Sequence, residues 1–140
     1  MDKVLIDSDV ILDFFFDREP FAQFATEVFL RCESKQLLGY TTPVIICNVY
    51  YLLSKTAKHE VIIEKLKQLL RIIEITAMDK KVVMAALNSD FKDFEDALQN
   101  CAALNQGDIP IILTTNMKDY KKSEMAVLSP EMYLKKQVGF

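Results

Sequence analysis

A short apolar run that breaks on acids constrains this chain more than any other feature. Lys3-Val4-Leu5-Ile6 stops at Asp7-Ser8-Asp9, and an apolar stretch resumes from Val10 to Phe16 with Ser8 or Asp9 placed to cap it as a helix. This strand-then-helix step recurs. Pro20 stands at an expected first helical position, and Phe21, Phe24, Ala25, Val28 and Cys32 follow at helical spacing down to about Arg31. Leu37 to Tyr40 reads as a second strand, with Thr42 capping and Pro43 opening a buried helix through Leu53. Glu60 to Leu70 is a two-faced helix, and Arg71 to Thr76, rich in β-branched residues, predicts a strand before a helix capped by Asp79 over Lys80 to Leu87. Asp93 caps Phe94 to Leu104, which Asn105-Gln106-Gly107 closes. Ile111 to Leu113 is the next strand, and Val127-Leu128 leads through Ser129-Pro130 into a last helix to about Lys136. Alternation without tight hairpin turns predicts an α/β fold: three layers, α/β/α, around a central parallel sheet.

Length and composition narrow the rest. At 140 residues the chain suits a single domain over 1–140, and 51% apolar with 26% charged residues excludes a disordered segment. Apolar runs such as Val44 to Cys47 fall far short of the roughly 20 residues that cross a bilayer. No secretory signal is visible, and Cys32, Cys47 and Cys101 form no paired motif, so three buried free thiols and a cytoplasmic location are expected. A net charge of -3 argues against coating nucleic acid by bulk electrostatics while leaving room for a local basic patch. The 3 glycines cannot build a phosphate loop, and the lone His59, in Lys58-His59-Glu60, reads as a solvated helix start and not as part of a nucleophile set.

In open parallel sheets ligands bind beyond the carboxyl ends of the strands. There stand Asp7 and Asp9 after the first strand and Asn116 and Asp119 after a later one, with Asp93, Glu95 and Asp96 at the head of a helix. Several carboxylates on one edge suit a hard divalent cation, Mg²⁺ or Mn²⁺. Each acid also has a plain structural use: a turn at Asp7, N-caps at Asp9 and Asp93, an exposed loop at Asp119.

The segments VLIDSDVILDFFFDREPF, TTPVIICNVYYLLSK, DFKDFEDALQNCAA and IILTTNMKDY, in this order, resemble the PIN domain, and in particular the PIN-domain ribonucleases of VapC-type toxins. The resemblance implies a metal-dependent RNA-cleaving enzyme of the cytoplasm. Its three principal acids, catalytic and metal-holding, match Asp7, Asp96 and Asp119; Asp9, Asp93 and Asn116 stand as secondary positions, and Thr114 and Thr115 lie where family members place hydroxyls that orient water or phosphate. Where many relatives carry Glu on the helix after the second strand, this chain has Asn48, so metal binding is weaker or Asp93 or Glu95 supplies the charge. Lys118, Lys121 and Lys122, with Lys55 and Lys58, are candidate RNA contacts. The family further implies a cognate antitoxin and a homodimer, for which Phe14, Phe15, Phe16, Phe21, Tyr50 and Tyr51 offer a surplus of aromatic surface.

Three alternatives stay open. Asp7-Ser8-Asp9-Val10 after a strand also mimics the nucleophile segment of haloacid-dehalogenase-like phosphatases, a receiver domain is a more distant possibility, and a PIN scaffold without the glutamate could serve as a non-catalytic binding module.

Overall fold

The computed structural model describes residues 1–137; residues 138–140, the end of the expected domain, lie outside the described residues. The chain runs β1 (Asp2–Ile6), α1 (Ser8–Phe15), α2 (Ala22–Glu33), β2 (Leu37–Thr41), α3 (Pro43–Leu53), α4 (His59–Leu69), β3 (Glu74–Ile75), α5 (Lys80–Leu87) and α6 (Phe94–Gln106). It closes with β4 (Ile111–Leu113), a 3₁₀ turn (Met117–Tyr120), β5 (Ala126–Leu128) and α7 (Pro130–Lys135). The sheet is parallel throughout, in the order β3-β2-β1-β4-β5.

That order follows from the sequence alternation. β1 is buried on both sides: Val4 and Ile6 join the apolar cluster of α1 to α4 and α7, while Leu5 faces the cluster that holds Tyr40, Ala103, Ile112 and Tyr120. Helices therefore cover both faces and the three-layer α/β/α fold is as expected. The strand order also turns around at β1: successive strands first progress to β2 and β3, then β4 returns to the other side of β1. The carboxyl ends of β1 and β4 thus flank a topological switch point, where such sheets open a crevice.

Most helix starts form as the sequence predicts. Thr42 Oγ1 accepts the Ile45 amide, Asp79 the Val82 amide, Asp93 the Asp96 amide and Ser129 the Met132 amide. Gly107, at φ 92°, ends α6 in the left-handed region that favours glycine. Gly39 serves a different need, because a Cβ there would come within 2.9 Å of Cys32 Sγ and of Ile73 Cγ2.

Four expectations are corrected. The cap of α1 is Asp7, not Ser8 or Asp9, since Asp7 holds extended backbone and accepts the Ser8 amide. Helix α2 begins at Ala22, without a side-chain cap, so Pro20 belongs to the preceding loop and not to a first helical turn. The strand expected over Arg71 to Thr76 shrinks to Glu74–Ile75: Arg71, Ile72 and Ile73 still close the end of α4 through turn bonds, and Ile73 is buried without joining a ladder. Cys32 and Cys101 are buried, but Cys47 is exposed on the outer face of α3.

Candidate functional site

Asp7 leaves the end of β1 as the cap of α1, a position that points its carboxylate across the switch point. Its Oδ1 accepts the Ser8 amide at 2.8 Å, and its Oδ2 accepts the hydroxyls of Thr114 and Tyr120, each at 3.1 Å. Asp9 is tied to the same strand end: its Oδ2 accepts the Thr115 amide at 2.8 Å and the Thr115 hydroxyl. The Thr114 hydroxyl also lies 3.3 Å from Asp9 Oδ2 and accepts the Asn116 amide at 3.1 Å. Thr114, fully buried, therefore braces the two acids and does not face open space as a water- or phosphate-orienting hydroxyl would.

Helix α6 and the 3₁₀ turn bring the remaining acids. Asp96 sits in the first turn of α6, half-buried, and Asp93 and Asp119 are exposed beside it. The group is electrostatically crowded. Burial, then the Asp9 charge, pushes the Asp7 carboxyl up to about 6. Burial, followed by the charges of Asp93, Asp7 and Asp119, pushes Asp96 up to about 7. Burial, then the charges of Asp7 and Asp96 beside it, holds the Tyr120 hydroxyl far above the ordinary tyrosine range.

The three predicted principal acids, Asp7, Asp96 and Asp119, thus lie close enough to act on one another, with Asp9 and Asp93 around them. Their donor set, carboxylate oxygens, fits a hard divalent cation, and their mutual repulsion is what such a cation would relieve. Among the described residues, no three His, Cys, Asp or Glu side chains close on one point as a finished cage. Asn48 Nδ2 donates to Glu95 Oε2 at 2.8 Å, linking α3 to α6. A second link, Thr42 Oγ1 to Gln99 Oε1 at 2.5 Å, lies one turn further along α6.

A cleft of about 300 Å³ opens beside Asp96 and Asp119 and is lined by Lys92, Lys118, Lys121 and Lys122. Three of these four lysines are expected from the sequence; Lys92, which sits between two acidic residues in DFKDFED, is not. Lys55 and Lys58 are elsewhere. They follow the end of α3, an 11-residue helix that starts at the strand edge and carries the chain about 16 Å away from it.

Sequence reasoning also passes over Asp13. It is buried on α1 and paired with Arg18, Arg18 Nε lying 2.9 Å from Asp13 Oδ1, while Arg18 Nη2 reaches the Asp9 carbonyl at 3.5 Å. The signal was the spacing, because Asp13 follows Asp9 by one helical turn and shares its face. His59 is an exposed first residue of α4 whose Nδ1 lies 2.8 Å from the Tyr50 hydroxyl, outside the acidic group.

Residues 3–118 match the PIN domain family. The chain belongs to the PIN domain family. This PIN domain is 29% identical over 137 residues to Ribonuclease VapC1 of Aquifex aeolicus, a match covering 94% of this chain and 93% of that protein. Its fold is shared by a toxin-antitoxin complex from Klebsiella pneumoniae, with a TM-score of 0.68 at 17% identity over 91% of this chain and 97% of that one. It is shared too by VapC20 of Mycobacterium tuberculosis, a sarcin-ricin loop cleaving toxin, with a TM-score of 0.67 at 13% identity over 85% of this chain and 94% of that one. The switch point between β1 and β4 is where this PIN domain gathers its acids, and no helix among its described residues is long and apolar enough to cross a membrane.

Proposed function

We propose that this PIN domain is a metal-dependent endoribonuclease, with Mg²⁺ or Mn²⁺ as its cation, and the toxin of a toxin-antitoxin pair. The observation that carries the reading is the meeting of Asp7 and Asp96, two acids from distant segments, each raised by burial and by neighbouring carboxylates at the switch point. Crowded carboxylates of this kind cost stability, and a scaffold used only to bind a partner would gain by losing them. The kinship with Ribonuclease VapC1 supports RNA as the substrate.

Asp7, Asp96 and Asp119 would hold the ion, with Asp9, Asp93 and Asn116 around them; bound there it would supply Lewis-acid chemistry, lowering the pKa of a water for phosphodiester hydrolysis. The chain's own residues do the rest. Thr114 and Thr115 fix the carboxylates of Asp7 and Asp9. Lys118, Lys121 and Lys122, joined by Lys92, draw RNA phosphates to an edge that would otherwise repel them. Asn48 does not bring the glutamate charge that many relatives carry; its amide holds Glu95 and so ties α3 to α6. The cognate antitoxin would cover this edge, in keeping with the complexes that share the fold, and the exposed Phe16, Phe21 and Tyr51 offer apolar surface for a homodimer, which the half-buried Phe14, Phe15 and Tyr50 do not. The cytoplasm is the expected compartment.

The test is cleavage of a mixed RNA pool with Mn²⁺, with EDTA, and with Asp7→Asn. Cutting that needs both the metal and Asp7 supports the reading. Metal-independent cutting, or none, defeats it, and release of phosphate from a small phosphoester through an acyl-phosphate at Asp7 would favour the phosphatase.

A further inference from the structure

The 3₁₀ turn Met117–Tyr120 sends two neighbouring side chains in opposite directions: Asp119 outward to the cleft and Tyr120 inward, where only 2% of it is exposed. The Tyr120 ring packs with Leu5, Ala103 and Ile112 and meets Phe91 edge-on, the centroids 6.1 Å apart. Phenylalanine would serve that packing equally well. The hydroxyl is what needs explaining, because a buried hydroxyl is retained at a cost unless it has a partner. Its partner is Asp7 Oδ2, at 3.1 Å.

Asp7 carries three donors on its two oxygens. An ionised carboxylate offers about two acceptor sites per oxygen. Oδ2 has both filled, by Thr114 Oγ1 and Tyr120 OH, whereas Oδ1 has one filled, by the Ser8 amide. The hydroxyls therefore pin one oxygen into the protein and leave the other with a site to give.

We propose that Tyr120 is a positioning residue: with Thr114 it occupies Oδ2 of Asp7 and so presents Oδ1 to a cation at the carboxyl edge. The proposal rests on the nuclease reading above. It assigns Tyr120 no contact with substrate, and its effect runs through the aim of Asp7.

Tyr120→Phe keeps the ring and removes the hydroxyl. Losing one hydrogen bond to a charged group predicts about a tenfold fall in Mn²⁺ affinity by calorimetry and a similar fall in kcat. KM for a short single-stranded RNA should stay close to wild type, and the melting temperature should fall by no more than one buried hydrogen bond accounts for. Thr114→Val, nearly isosteric, should repeat the pattern if Tyr120→Phe folds poorly. Unchanged Mn²⁺ affinity and kcat in either folded variant, beside a wild type that binds Mn²⁺ and cuts RNA, overturns this inference and spares the nuclease reading. A kcat loss matching only the unfolded fraction overturns it as well, since that would be a packing role. A wild type without metal-dependent cleavage overturns the nuclease reading, and this inference with it.

Discussion

The acidic edge has two halves built on opposite principles. On the β1 and β4 side, Asp7 is buried and Asp9 half-buried, and both are held by donors of the fold: amides of Ser8, Val10 and Thr115, and hydroxyls of Thr114, Thr115 and Tyr120. On the α6 side, Asp93, Asp96 and Asp119 stand at the wall of an open cleft, facing one another and four lysines. The first half is woven into the fold, so its acids do structural and functional work at once. The second half is crowded charge that the fold tolerates, and it is there that the molecule trades stability for a site.

The sharpest way to break this contrast is to remove an acid from each half. Asp7→Ala strips a helix cap and leaves the buried Tyr120 hydroxyl without its acceptor, so urea unfolding should lose about 2–4 kcal/mol, and RNA cleavage should vanish. Asp96→Asn should abolish cleavage yet raise the melting temperature at pH 8. The sign follows from Asp96 standing at about 7 in the fold against an ordinary aspartate value of 3.8: the folded state prefers the protonated form, so stability is full below the lower value and lost as pH rises through the upper one. Wild type should accordingly weaken between about pH 4 and pH 7, Asp7 adding to the trend, and Asp96→Asn should flatten the curve. A smaller effect is expected at the lysines: Lys92→Ala should raise KM severalfold at unchanged kcat and reduce the slope of log affinity against log salt by about 1. The smallest belongs to Glu95→Gln, which still accepts from Asn48 and should shift stability by no more than about 0.5 kcal/mol.

How much was legible in the sequence differs between the same two halves. Asp7, Asp93, Asp79, Thr42 and Ser129 could be read because an acid or hydroxyl next to an apolar run has a local job, and local jobs leave local signals. Asp7 needed only the reassignment of the cap by one residue. Arg71 to Thr76 misled because β-branched apolar residues report burial, and Ile73 is buried without pairing. Cys47 misled for the opposite reason, an apolar neighbourhood on a helix with an exposed face. The Thr114 and Tyr120 hydroxyls on Asp7, the Asp13 pair with Arg18 and the Asn48 link to Glu95 all join side chains through tertiary geometry, and no periodicity encodes which partner a hydroxyl finds. The gathering of acids at the carboxyl edge was readable from the strand ends and the head of α6, and the resemblance narrowed them to Asp7, Asp96 and Asp119.

The most direct test of the central claim, that Asp7 and Asp96 are crowded together to receive a cation, is a thermal melt at pH 8 with and without millimolar Mn²⁺, wild type beside Asp96→Asn. Binding to the folded state alone raises its stability by mass action. Mn²⁺ should raise the melting temperature of wild type and leave that of Asp96→Asn, already higher without metal, where it was. A wild type indifferent to Mn²⁺, or two proteins shifted equally, would contradict the claim.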